Sequence, residues 1–78
     1  MTTLGQLRNL FKLMEVYDGD NDFKYDYKVE IYEDYNSKVL FEFLNVNEFI
    51  DELPTSKDNY VIEEFNIFVH LREIEIIL

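Results

Sequence analysis

Apolar residues recur with a helical period at the start of the chain. Leu4, Leu7, Leu10, Phe11 and Met14 follow i, i+3, i+4 spacing, and Thr3-Leu4-Gly5-Gln6 has the form of a capping box. A helix is expected over 3–14, with Gly5 weakening its first turn slightly. Glu15-Val16-Tyr17 reads as the helix end or a short strand, and Asp18-Gly19-Asp20-Asn21-Asp22 as a turn. From Phe23 the period becomes two. Phe23, Tyr25, Tyr27, Val29 and Ile31 fall on one side, and Lys24, Asp26, Lys28, Glu30 and Tyr32 on the other. A turn over 33–37 leads to a second strand over 38–44, with Val39, Phe41 and Phe43 inward. So short a connection favours an antiparallel hairpin.

Asn45-Val46-Asn47-Glu48 is a second cap-like signal, and Val46, Phe49, Ile50 and Leu53 share one face of a short helix that Pro54 ends. Residues 55–59 read as a loop, and 60–71 as strongly β, with Phe65, Ile67, Val69 and Leu71 on one face. After Arg72 the parity changes, because Ile74, Ile76 and Leu78 alternate out of phase with that set. A one-residue slip would reverse the faces, so a bulge or strand break belongs near Arg72-Glu73. The expected order is α-β-β-α-β(-β): one α+β domain over 1–78, with a small antiparallel sheet of three to four strands, an N-terminal helix and a short second helix.

Composition sharpens this picture. With 78 residues the chain is near the lower size for a self-sufficient core, yet 47% of it is apolar, including seven Phe and six Tyr. Seventeen acidic residues against seven basic ones give a net charge of -10. The acids alternate with aromatic and β-branched residues, as on a folded surface rather than in a disordered tail. The absence of cysteine suits a reducing, cytoplasmic setting and excludes disulfides and thiolate metal sites. Met1 to Gln6 lacks the features of a signal peptide, and no apolar run approaches the roughly 20 residues of a membrane span. So acidic a chain is repelled by anionic lipid and by nucleic acid, so neither is expected as a direct partner.

Catalysis finds little support. His70 stands alone between Val69 and Leu71, Ser37 and Ser56 fall in expected turns, and adjacent Glu63-Glu64 point to opposite faces of a strand. No enzyme, cofactor or metal is expected. Asp18, Asp20 and Asp22 resemble the start of an EF-hand loop, but Phe23 and Val29 occupy the positions that need Gly and Glu. The plainer reading is a hydrophilic turn.

The acids fall into two stretches. The first holds Glu15, Asp18, Asp20, Asp22, Asp26, Glu30, Glu33 and Asp34, opposed by Lys24 and Lys28; the second holds Glu42, Glu48, Asp51, Glu52, Asp58, Glu63 and Glu64. A solvated face explains such runs most simply. Self-repulsion, however, destabilises a small domain. Carboxylates two residues apart on a strand also sit about 6.5–7 Å apart, close to the roughly 7 Å between phosphates along one nucleic-acid strand.

In size, charge and the acidic run from Asp18 to Asp34 interleaved with Tyr17, Phe23, Tyr25, Tyr27 and Tyr32, the chain resembles the small acidic anti-CRISPR and antirestriction DNA mimics of phages and mobile elements. That resemblance implies a non-catalytic inhibitor that occupies the basic groove of a larger nucleic-acid-binding protein. The expected contacts are Asp18, Asp20, Asp22, Asp26, Glu30, Tyr32, Glu33 and Asp34, with Tyr25 or Tyr32 as an aromatic anchor. The alternative is a small structural or adaptor domain, monomer or homodimer through its C-terminal strand, whose acidity serves solubility. Tyr32, Leu40, Phe68 and His70 would then form an apolar patch if their strands are neighbours, unless the first helix or the C-terminal segment covers them, and the segment 73–78 would pair with an edge.

Overall fold

A computed structural model of the chain describes residues 1–15, 17–34 and 38–78, without the side chain of Asp18. The capping box forms as its residue types require. Thr3 Oγ1 accepts from the Gln6 N–H at 3.2 Å, and Gln6 Oε1 accepts from the Thr3 N–H at 2.9 Å. Helix α1 (Leu4–Leu13) follows and buries Leu4, Leu7, Arg8 and Phe11, while Leu10 stays exposed. Gly5 is required by close packing: its N–H donates to the Asp58 carbonyl at 3.0 Å, and an added Cβ would lie 2.8 Å from Asp58 Cβ.

The acidic turn is a tight hairpin of β1 (Tyr17–Asp18) and β2 (Asn21–Asp22), with Gly19 at φ 62. Glycine adopts that left-handed conformation without steric cost. The strand expected from Phe23 is instead a helical turn, α2 (Phe23–Asp26). Asp22 causes the change by capping it: its carboxylate accepts from the Lys24 N–H at 2.9 Å, and Asp26 accepts from the Asp22 N–H at 2.7 Å. Phe23 and Tyr27, four residues apart, still reach the core with ring centroids 5.0 Å apart. Tyr25, expected inside, is 66% exposed because a helical turn sends it outward.

The remaining elements are β3 (Lys28–Tyr32), β4 (Val39–Phe43), α3 (Val46–Glu52), a 3-10 turn (Thr55–Lys57), β5 (Glu64–Phe68) and β6 (Glu73–Ile77). Asn45 caps α3, accepting from the Glu48 N–H at 2.8 Å. The expected α+β class, with the N-terminal helix first, is present. The sheet runs β4-β3-β6-β5 and is mixed rather than wholly antiparallel, because β3 and β6 pair in parallel. The β3–β4 pairing is the expected antiparallel hairpin, with a bulge between Ile31 and Tyr32; part of its expected turn, 35–37, lies outside the described residues. The parity change near Arg72 is a strand break. The chain turns between β5 and β6, with Arg72 at φ 51, so the long strand expected over 60–71 is cut to β5. Upstream of it, Ile62 donates to the Thr2 carbonyl at 2.8 Å.

The helices cover one face of the sheet. Val29, Ile31, Ile74 and Ile76, on the two central strands, are each 0% exposed, with Phe43 beside them. Phe11 packs edge-on against Phe23 at 5.4 Å and against Phe49 at 5.9 Å, joining α1, α2 and α3. Val39, expected inward, is exposed because the bulge re-aims the start of β4, and Phe41 is only half-buried. Arg8 is the buried charged residue of this layer. Its Nη1 lies 2.7 Å from Asp58 Oδ1, and Nη2 donates to the Leu53 carbonyl.

Helix propensity alone would make Gly5→Ala stabilising by up to about 1 kcal/mol. The Asp58 contact reverses the sign here. The variant is expected to melt below the parent in circular dichroism, and an unchanged or higher midpoint would contradict the packing described.

Candidate functional site

Strand alternation decides what the uncovered face displays. Since Val29, Ile31, Ile74 and Ile76 point to the helices, Lys28, Glu30 and Tyr32 of β3 and Glu73, Glu75 and Ile77 of β6 point away from them, although Ile77 is itself buried among its neighbours. Register adds Glu42 from β4, and Glu64, Asn66 and Phe68 from β5. Glu42 pairs with Glu30, Glu30 with Glu75, and Glu75 with Asn66. One row across the sheet thus carries three neighbouring carboxylates and no base, on strands about 4.8 Å apart. Like charges directly opposite on paired strands are destabilising.

Neighbouring groups offset part of this repulsion. Lys28 Nζ lies 2.6 Å from Glu42 Oε1 and 3.5 Å from Glu30 Oε1. Tyr32 donates its hydroxyl to Glu30 Oε2 at 2.5 Å, and Asn66 Nδ2 donates to Glu64 Oε2 at 3.0 Å. The field registers in both titrating partners. The Tyr32 phenol is pushed up to about 12, first by its hydrogen bond to Glu30, then by burial and the charges of Glu30, Glu75 and Glu73. Lys28 is held above the usual lysine value, first by its contact with Glu42.

The expected contact residues do not share this face. Glu30 and Tyr32 lie on it. Glu33 and Asp34 are exposed at the end of β3, where the Glu33 N–H donates to the Lys38 carbonyl at 2.9 Å. Asp18, Asp20 and Asp22 belong to the hairpin that leads into α2 on the helical side, and Asp22 and Asp26 satisfy local backbone amides there. Exposed Tyr17 and Tyr25 belong to that second acidic region. Among the described residues, no group of three His, Cys, Asp or Glu side chains is placed to hold a metal ion.

The expected apolar patch does not form. Tyr32 shares a row with Ile77 and Glu64, whereas Phe68 lies in the row of Lys28 and Glu73, Leu40 sits at the β4 bulge, and His70 is in the β5–β6 turn. The C-terminal strand is not an edge either, since β6 lies between β3 and β5. Glu73 and Glu75 were missed as site residues. Their signal was the alternation Glu73-Ile74-Glu75-Ile76, but the parallel pairing that sets them beside Lys28 and Glu30 has no local sequence mark.

Among the described residues, no helix is long and apolar enough to cross a membrane. Comparison with known proteins finds no family model, no curated protein and no solved structure that matches the chain.

A raised phenol pKa has a definite sign. Tyr32 keeps its proton in the folded state after an unfolded tyrosine loses it near 10. Its stabilising contribution is therefore complete below about pH 10 and is lost as the pH rises through about 12. Ultraviolet titration of the phenols is expected to show one late tyrosine that returns towards about 10 in Glu30→Gln. A late component unchanged in that variant would remove Glu30 as the cause.

Proposed function

We propose that this protein is a non-catalytic acidic binding protein whose uncovered sheet face docks into the basic, nucleic-acid-binding groove of a larger protein. The row Glu42-Glu30-Glu75, held side by side where no described helix covers the sheet, is the observation that carries this reading. Glu73 and Glu75 lie two residues apart on β6, a spacing of about 6.5–7 Å. Lys and Arg side chains arranged for successive phosphates, roughly 7 Å apart, would meet carboxylates at matching intervals. A rigid strand pair holds them without the ordering cost that a flexible acidic tail would meet on binding.

Inhibition would be competitive with nucleic acid, fast in association and sensitive to salt. The resemblance to anti-CRISPR and antirestriction mimics supports a nuclease or restriction enzyme of a host defence system as the partner. The hairpin of Asp18, Asp20 and Asp22, with Tyr17 and Tyr25 exposed near it, would form a second, separate contact on the helical side.

The test is affinity capture from host lysate at low salt, then nucleic-acid binding by the captured protein measured with increasing amounts of this chain. Competition is expected. The triple variant E30Q/E73Q/E75Q is expected to weaken binding about tenfold, the sum of three exposed ion pairs of about 0.5 kcal/mol each. It should also flatten the dependence on salt. A triple variant with parental affinity and salt slope, or a captured protein that binds both ligands at once, would exclude this mode of action.

A further inference from the structure

Strand β5 is an edge strand: β6 pairs with one side of it, and no strand among the described residues pairs with the other. Open edges template further pairing, and proteins usually guard them with charge, Pro or a bulge. The opposite edge, β4, has such guards in Glu42 and in the irregular pairing at Ile31/Tyr32. From Phe65 to Leu71, in contrast, the chain has no Asp, Glu, Lys or Arg, although its net charge is -10. Phe65, Ile67 and Phe68 are 39%, 43% and 41% exposed. Phe65 and Leu10 of α1 line a groove of about 340 Å³ with Leu7, Ile62 and Thr2, and Glu63 and Glu64 add carboxylates to its lining.

Charge and register together select the occupant. A basic partner would be drawn to the carboxylate row, not to an edge whose residues 65–71 carry no charge. Two copies of so acidic a chain repel one another, so association favours the stretch of surface that carries least charge. In antiparallel self-pairing about a two-fold axis at Asn66, Phe65 meets Ile67 of the second copy on the helical side. Glu64 meets Phe68 of that copy on the outer side, and no carboxylate faces a carboxylate.

We propose that the chain forms a symmetric dimer by antiparallel pairing of β5 with β5 of a second copy, joining two four-stranded sheets into one continuous sheet. The axis is perpendicular to the sheet, so both carboxylate faces lie on the same side. Eight strands at about 4.8 Å span about 34 Å, close to one turn of duplex DNA at about 34–36 Å. That last correspondence rests on the function proposed above; the dimer does not.

Sedimentation equilibrium from micromolar to millimolar protein tests it. The expected species has twice the 9.5 kDa chain mass and associates more tightly as added salt screens the self-repulsion. A monomer under all conditions overturns the dimer, even if competition with nucleic acid is found. Ile67→Lys places a guard charge on the edge and is expected to be monomeric with an unchanged far-ultraviolet spectrum; a folded I67K dimer overturns the interface. Asn66→Cys tests the register independently of any loss of folding in I67K. The chain has no cysteine, so oxidation is expected to link N66C into a covalent dimer at concentrations where Asp51→Cys, at an exposed position of α3, stays monomeric. An N66C protein that links no faster than D51C overturns the pairing.

Discussion

The parallel pairing of β3 with β6 sets both the core and the outer face of the sheet. It joins chain segments that are distant in sequence and buries Val29, Ile31, Ile74 and Ile76 completely. Each such side chain contributes about 1.5–3 kcal/mol when removed from water. Because side chains alternate along a strand, the same register that sends these four inward sends Lys28, Glu30, Glu73 and Glu75 outward. The core thus fixes the carboxylate row. A one-residue slip of the strands, which would move Glu30 off Glu75, would also turn the isoleucines outward.

The helical layer keeps that face open by committing every described helix to the other side. Arg8 ties this layer together. Its guanidinium reaches Asp58 and the carbonyl of Leu53 at the end of α3. The last turn of α3 has no base of its own, so Arg8 supplies, from α1, the cation that a helix C-terminus favours. A charge buried this deeply is costly unless paired, which makes the contact a constraint on geometry more than a source of net stability. Gly5 lets the helix approach Asp58 closely enough for that pairing.

Much of this fold was legible in the sequence, since Thr3, Asn45 and Pro54 act locally and mark helix ends by their own hydrogen bonds or lack of them. The parity change at Arg72 was legible too, because alternation is a local rule with one geometric remedy. Three features were not. Phe23 and Tyr27 satisfy both a strand and a helical turn, and the Asp22 cap decided between them. Arg8 shares the apolar face of α1 with Leu4 and Phe11, but the carboxylate that makes its burial tolerable, Asp58, comes from a distant element. The sheet order depends on a long-range parallel contact, so the acids were grouped by sequence proximity. That grouping joined Glu30 and Tyr32 of the outer sheet face to a hairpin on the other side of the molecule.

The carboxylates of the outer face are held together against their own repulsion. The most direct measurement is the thermal stability of Glu75→Gln as a function of salt. Glu75 has no base in its row, so removing its charge relieves repulsion without breaking an ion pair there. The variant is expected to melt a few degrees above the parent at low salt, with the difference shrinking as salt is added. A variant that melts below the parent, or whose gain does not depend on salt, would contradict it.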